Sequence, residues 1–204
     1  MKLKFVSLWL ALLCIVMFVL QLLIPGFTDS LVLNQQSFVQ PWRFVTSIFL
    51  HASLIHLLYN LFALVLFGLI LERLIGSNRF LLVFFTSGIA ASLISVNFYS
   101  SSLGASGAIF GIIGAVAVLR PLMTVWAFNL PMPMFIAAAL WAIGDLIGVF
   151  MPSETANIAH LSGLALGIVL GLVFRITIKS NKSKEYKIRI PESDIREWED
   201  RYAV

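Results

Sequence analysis

The chain has 204 residues, of which 60% are hydrophobic and only 12% are charged, about half the charged share of an ordinary soluble domain. The formal net charge is +4, but most cations flank hydrophobic segments, an arrangement that sets membrane topology. This composition excludes a soluble enzyme and a nucleic-acid-binding protein. It predicts an integral membrane protein, in which the single cysteine, Cys14, has no partner for an intramolecular disulfide.

Six apolar runs are long enough, or nearly so, to span a membrane, since a helix crosses the hydrocarbon core in roughly 20 residues. In chain order they are approximately Phe5–Ile24, Ser53–Ile75, Phe80–Phe98, Ala105–Leu119, Met132–Met151 and Ile158–Ile178. The fourth run is short, so we expect it to begin below the membrane surface. The predicted fold is an all-α bundle of six transmembrane helices over residues 1–178, followed by a charged tail over residues 179–204.

Two further predictions concern the ends of this bundle. The first run follows two lysines like a signal peptide, but it is long and has no small-x-small cleavage site before Pro25, so we expect it to remain as a helix. In the tail, Pro191-Glu192-Ser193-Asp194 predicts the cap of one short polar helix. We expect no separate soluble domain before or after the bundle.

The cations predict the orientation, because cytoplasmic flanks carry an excess of Lys and Arg. If six helices alternate, one side receives Lys2, Lys4, Arg73, Arg79, Arg120, Arg175 and the cations of the tail. Only Arg43 falls on the other side. Both termini are therefore predicted to be cytoplasmic, in what we expect to be a prokaryotic plasma membrane. The second, fourth and sixth helices then all begin near the outer leaflet.

Strongly polar side chains stand at the beginnings of those three helices. They are His51, His56 and Asn60, then Ser106, and then His160. A charged side chain at mid-membrane costs about 2.5 to 3.5 kcal/mol on insertion scales, so polar residues in such helices are functional candidates. The topology places all three sets at one depth and predicts that they form one site.

Each set also has a structural interpretation when it is taken alone. His56 and Asn60 are four residues apart and share a helix face, where they could bridge packed helices by hydrogen bonds. The Ser106 hydroxyl could bond back to a carbonyl of its own helix. However, Ser106 lies in a glycine-rich stretch at a helix start, where free amide groups and the helix dipole favour a developing negative charge.

His160 shares its helix face with a row of glycines three, seven and eleven residues further on. This row of Gly163, Gly167 and Gly171 predicts close packing on the small face of the fourth helix, which carries Gly107, Gly111 and Gly114. Such packing would hold His160 against Ser106.

These residues together resemble the rhomboid family of intramembrane serine proteases. The resemblance rests on Gly104-Ala105-Ser106-Gly107, on Ala159-His160 with Gly163 and Gly167, on His51, His56 and Asn60, on Trp42-Arg43 and on Glu72-Arg73. It covers roughly residues 5 to 178. It implies a nucleophile, Ser106, with His160 as its general base, and an oxyanion hole lined by His56, Asn60 and the backbone amide of Ser106.

The resemblance also assigns supporting roles. His51 would stabilise the outer loop, and Trp42 and Arg43 would help that loop lie partly in the outer leaflet; an interfacial aromatic beside a snorkelling cation is nearly the same interpretation. Phe110, one turn after Ser106, is expected to stack under the imidazole of His160. We do not assign Asp145 to a catalytic triad and expect a capping or loop-bonding carboxylate.

A separate prediction concerns the surroundings of the fifth helix. Its large apolar side chains, including Trp141, are expected to face lipid, and the resemblance makes this helix a candidate lateral gate for substrate.

The predicted function is therefore a serine endopeptidase that cleaves transmembrane segments of single-span or polytopic membrane proteins. No cofactor is expected, and three histidines without HExxH spacing make a poor metal site. One alternative is an inactive relative that binds membrane proteins for quality control, which predicts damage to Ser106 or His160. Another is a small transporter or channel, which predicts polar residues at several depths.

Overall fold

The computed structural model describes residues 5–151, 155–185 and 192–202. Its α-helices are α1 (Val6–Leu23), α2 (Phe27–Leu31), α3 (Arg43–Thr46), α4 (Leu54–Ile75), α5 (Ser77–Ser95), α6 (Ser106–Leu119), α7 (Met134–Val149), α8 (Asn157–Glu185) and α9 (Glu192–Tyr202). Short 3-10 helices cover Gln35–Phe38 and Ser47–Phe49. The strands are β1 (Leu33–Asn34), β2 (Ser101–Ser102), β3 (Thr124–Ala127) and β4 (Leu130–Pro133).

Each of the six predicted apolar runs contains one helix of the bundle. Within the described residues α1, α4, α5 and the Asn157–Thr177 part of α8 are long and apolar enough to cross a membrane, whereas α6 and α7 are shorter, with 14 and 16 residues. The helical bundle and the short fourth run are confirmed. The last long helix continues to Glu185, past the predicted end at Ile178. Lys2, Lys4 and the predicted cap at Pro191 lie outside the described residues, but the polar tail helix is present as α9.

Helix α6 lies at the centre of the bundle, with α4, α5, α7 and α8 around it. Its closest neighbour is α8, because the predicted glycine rows meet. A Cβ atom on Gly163 would touch the carbonyl oxygen of Gly107, and one on Gly167 would touch that of Gly111. Backbones come this close only where neither helix has a side chain in between. This packing brings the start of α8, with His160, beside the start of α6.

Helix α1 is anchored on α4 at the end of the bundle far from Ser106. The Glu72 carboxylate accepts hydrogen bonds from the backbone N–H groups of Val6 and Ser7, at 2.8 and 3.0 Å, and from the hydroxyl groups of Ser7 and Ser77. Amides of a helix's first turn have no partner within the helix. Glu72 therefore caps α1 from another helix and joins α1, α4 and the start of α5.

A hairpin that the sequence analysis did not predict connects α6 to α7. Strands β3 and β4 pair antiparallel, and the turn residues Phe128 and Asn129 both have positive φ, at 53° and 60°. At its tip, the Phe128 ring lies 6.2 Å from the ring of Trp141, two turns into α7. Because Met132 and Pro133 belong to this hairpin, α7 begins two residues later than the predicted fifth run.

Candidate active site

Ser106 is the first residue of α6 and lies half-buried, directly after a tight backbone turn. Gly104 makes this turn with a φ of +123°, a conformation that side chains disfavour. Its N–H donates to the carbonyl oxygen of Ser47 at 2.9 Å, which fixes the chain before the helix. Ser106 thus stands where α6 presents its free amide groups.

His160 lies in the first turn of α8 and is held by contacts from two other helices. Its ring stacks on Phe110 of α6, with ring centroids 4.3 Å apart and planes inclined by 8°. Its Nδ1 atom lies 3.0 Å from Oδ1 of Asp145 on α7. The expected stacking of Phe110 under the imidazole is therefore present.

The expectation for Asp145 was wrong. Asp145 lies within α7, four residues before its end, and is 8% exposed. Its hydrogen bond goes to His160 and not to a helix terminus or a loop. The reason is the register of α7 on α8. A Cβ atom on Gly148 would meet the side chain of Asn157 at 2.6 Å. The two helices are antiparallel, so Asp145, three residues before Gly148, faces His160, three residues after Asn157.

Ser106 and His160 lie at the starts of two closely packed helices, α6 and α8. Gly107 lies against the carbonyl of Ala159, and Ser106 and Ala159 line the same small cavity. Within the described part of the chain, no hydrogen bond joins the Ser106 hydroxyl to His160. Catalytic hydrogen bonds are often long or open without substrate and tighten in the complex.

His56 of α4 lies beside the turn that precedes Ser106. A Cβ atom on Gly104 would lie 2.9 Å from His56 Nε2 and 3.9 Å from Ser106 Oγ, so the imidazole edge and the hydroxyl flank the same glycine. The N–H of Ala52 donates to His56 Nδ1 at 3.4 Å. A neutral imidazole that accepts at Nδ1 carries its proton on Nε2, and this ring atom of His56 lies beside Gly104.

Asn60 lies one turn after His56 on α4 and is buried. Its side-chain amide donates to the carbonyl oxygen of His56 at 2.8 Å, and its Oδ1 atom has no partner among the described residues. The amide has a second N–H that this bond does not use. Asn60 thus lies one turn after His56, and no hydrogen bond joins Asn60 to Ser106 in the described residues.

His51 is buried in the loop before α4, with 1% exposure. Its backbone N–H donates to Gln21 Oε1 at 2.9 Å, and its carbonyl accepts from Gln21 Nε2 at 3.2 Å, so α1 holds this loop. Its ring packs edge-on against His56, with centroids 5.2 Å apart. Burial, with a smaller contribution from His56, lowers the pKa of His51 to about 4.

Trp42 and Arg43 differ in their surroundings. Trp42 is 51% exposed, as expected of an interfacial aromatic, but Arg43 is 4% exposed and does not snorkel. Its guanidinium donates to the carbonyl oxygens of Asp29 and Val32, both at 2.8 Å, and to side-chain oxygens of two glutamines. Arg43 therefore holds the loop between α1 and α4 together from within.

A small polar cavity beside Ser106 was not predicted from the sequence. It has a volume of about 30 Å³, room for a water molecule or a small side-chain group. Four further serines line it: Ser47, Ser92, Ser95 and Ser102. Two of them, Ser92 and Ser95, lie three residues apart on the predicted third helix, a signal that could have indicated a polar face towards the site.

Residues 39–177, more than half of the chain, match the family model of the Rhomboid domain. The chain belongs to the rhomboid family. The matched range contains His56, Ser106, Asp145 and His160, and the described fold is the helical membrane bundle of this family.

Several relatives have rhomboid names. RHOMBOID-like protein 6, mitochondrial, of Arabidopsis thaliana is 35% identical over 136 residues, which cover 66% of this chain and 44% of the relative. Putative rhomboid protease YdcA of Bacillus subtilis is 34% identical over 135 residues, covering 65% of this chain and 66% of the relative. Rhomboid protease GlpG of Haemophilus influenzae is 28% identical over 180 residues, covering 82% and 90%. The chain spans less than half the length of the Arabidopsis relative.

Proposed function

We propose that this rhomboid-family chain is an intramembrane serine endopeptidase with Ser106 as nucleophile and His160 as general base. The observation that carries the proposal is the position of His160, whose ring stacks on Phe110, one turn after Ser106 on the same helix face. Two relatives that are named rhomboid proteases, from Bacillus subtilis and Haemophilus influenzae, support the same chemistry.

The reaction begins with attack of Ser106 Oγ on the carbonyl carbon of the scissile peptide bond. His160 Nε2 accepts the hydroxyl proton and then delivers it to the leaving amine. Water next hydrolyses the acyl-enzyme, with His160 again acting as base, and restores the free hydroxyl group. These are the two steps of acyl transfer through a covalent intermediate.

The negative charge that develops on the carbonyl oxygen is stabilised by hydrogen-bond donors around Ser106. The candidates are the Nε2–H of His56, the free amide N–H of Asn60 and the backbone N–H of Ser106 at the start of α6. Loss of one such donor typically costs about 10²- to 10³-fold in turnover. The Nε2–H of His56 is the donor with the best support, because it flanks Gly104 together with Ser106.

The substrates are proposed to be transmembrane segments of single-span or polytopic membrane proteins. A hydrogen-bonded helix shields its carbonyl groups, so cleavage requires a segment that unwinds at small or helix-breaking residues. The cavity of about 30 Å³ beside Ser106 accommodates only a small group, which favours such residues near the scissile bond. The cations at the opposite helix ends, Arg73, Arg79 and Arg120, favour a site towards the outer leaflet and cytoplasmic termini.

The proposal is tested by cleavage of a single-span membrane substrate in cells, together with labelling of the purified protein by a fluorophosphonate probe. We expect Ser106→Ala and His160→Ala to lower turnover by at least about 10³-fold. Ser162→Ala is the matched control, because this serine bonds the carbonyl of Ile158 within α8 and does not belong to the site. Its turnover should equal that of wild type.

Two other outcomes would reject the proposal. If wild type neither cleaves substrates nor reacts with the probe but binds membrane proteins, the chain is an inactive member of the family. If Ser106→Ala cleaves as fast as wild type, the nucleophile has been assigned wrongly.

A further inference from the structure

Burial of the Asp145 carboxylate costs free energy, because the group is removed from water. It lies within the apolar helix α7, 8% exposed, and its Oδ2 atom has no partner among the described residues. Its Oδ1 atom lies 3.0 Å from Nδ1 of His160. An intramembrane carboxylate has a functional role by default, and here its partner is the proposed general base.

We propose that Asp145 is a positioning residue for His160, which adds a third residue to the proposed pair of Ser106 and His160. A carboxylate oxygen accepts hydrogen bonds, so the neutral imidazole keeps its proton on Nδ1 and leaves Nε2 free to take the proton of Ser106. When His160 becomes an imidazolium ion during attack, the adjacent negative charge stabilises it. The inference rests on the proposed function.

Phe110 and Asp145 constrain His160 in complementary ways. Stacking at 4.3 Å fixes the plane of the imidazole ring but allows rotation within that plane and does not distinguish its two nitrogens. The hydrogen bond to Asp145 removes this freedom, because only Nδ1 points at α7. His56 on α4 is a further ionisable side chain near His160 among the described residues, and an imidazole supplies no acceptor oxygen.

A structural role for Asp145 explains less of what is observed. It lies too far inside α7 to cap either end of the helix. The close contact of Gly148 with Asn157 already packs the end of α7 on the start of α8 without any charge. A carboxylate is therefore not required for that packing, whereas the tautomer of His160 depends on the group that faces Nδ1.

The test compares Asp145→Asn with wild type in the full chain, in detergent or in reconstituted membranes. Asparagine has nearly the same shape but can donate an N–H to Nδ1, which favours the tautomer with the proton on Nε2 and blocks the base. We expect kcat per folded molecule to fall by about 10²- to 10⁴-fold while KM stays unchanged, as for an interaction made in the transition state. Nitrogen NMR of ¹⁵N-histidine-labelled protein should show His160 changing from the Nδ1–H to the Nε2–H tautomer.

Two further variants separate positioning from folding. Glu72→Gln removes another buried carboxylate of a membrane helix, at the far end of the bundle, and should lower thermal stability without changing kcat per folded molecule or the tautomer of His160. Asp145→Glu keeps the charge and should retain the Nδ1–H tautomer with a higher kcat than Asp145→Asn. A residue that only supports packing would tolerate the isosteric asparagine better than the longer glutamate.

The outcomes for Asp145 and for the proposed function are distinguishable. Wild-type kcat and an unchanged tautomer in Asp145→Asn, while Ser106→Ala is inactive, would overturn the role of Asp145 alone. Activity in Ser106→Ala would overturn the proposed function itself.

Discussion

At the scale of single residues, the burial of His51 leads us to expect that the stability of the protein depends on pH. Its pKa is lowered by burial to about 4, whereas an unfolded chain has the ordinary value of about 6.5. Protonation therefore favours the unfolded state. The contribution of His51 to the free energy of unfolding is fully present above about pH 6.5, and it is lost as the pH drops towards 4.

The measurement is thermal unfolding in detergent from pH 8 to pH 4, for wild type and for His51→Phe. The variant has no titrating group at this position, so its unfolding temperature should decline less steeply with falling pH, whatever its stability at neutral pH. Other groups titrate in both proteins and cancel in the comparison. Equal slopes for the two proteins would mean that the His51 ring is not held neutral by burial.

Some residues of the candidate site could be proposed from the sequence, and others could not. His56, Ser106 and His160 could be proposed for one site because polar groups are costly in membrane helices and these residues stand at corresponding helix starts. The contact of Asp145 with His160 was not, since it depends on the register of α7 on α8, which the contact of Gly148 with Asn157 sets. The hydrogen bonds of Arg43 were not predictable either, because the path of the loop decides which carbonyl groups surround its guanidinium.

At the scale of elements, the glycine contact between α6 and α8 predicts which small residues cannot be enlarged. A Cβ atom on Gly167 would overlap the carbonyl oxygen of Gly111, which is backbone and cannot rotate away. We expect Gly167→Ala to destabilise the fold by about 1 to 3 kcal/mol or more and to lower turnover, because α8 carries His160. Thermal unfolding and substrate cleavage measure the two effects.

Gly144→Ala on α7 is the matched control for this substitution. A Cβ atom there would meet nothing within 4 Å, and alanine is the better helix former by up to about 1 kcal/mol. Its stability should equal or exceed that of wild type. If Gly167→Ala is as stable as Gly144→Ala, the helices do not depend on backbone contact.

Helix existence was predictable at this scale, but the β3–β4 hairpin was not. Length and apolar composition indicate membrane helices directly, and all six runs contain one. The hairpin residues are almost as apolar as the helices, and the turn has Phe128 and Asn129 at positive φ in place of the glycine that normally signals such a turn. Met132 and Pro133 were therefore assigned to the helix that follows them.

At the scale of the whole molecule, the contact between α4 and α7 bears on how a substrate enters. Trp141 was expected to face lipid, but its ring lies 5.9 Å from that of Phe67 on α4 and also contacts Phe128 of the hairpin. Elsewhere α7 packs on α6 and α8. This cluster of Phe67, Trp141 and Phe128 is therefore a connection that must loosen if a transmembrane segment is to pass between α4 and α7 towards Ser106.

Trp141→Ala should consequently increase the rate at which a transmembrane substrate is cleaved, by about 2- to 10-fold, since an aromatic pair contributes about 0.5 to 1.5 kcal/mol beyond its buried area. The reaction of Ser106 with a small fluorophosphonate probe should not change, because a small molecule does not require two helices to separate as a transmembrane segment does. Phe150→Ala, an exposed aromatic just after α7, is the matched control and should leave both rates unchanged. Equal acceleration of cleavage and labelling would show that the substitution alters the site itself, and slower cleavage would place substrate entry elsewhere in the bundle.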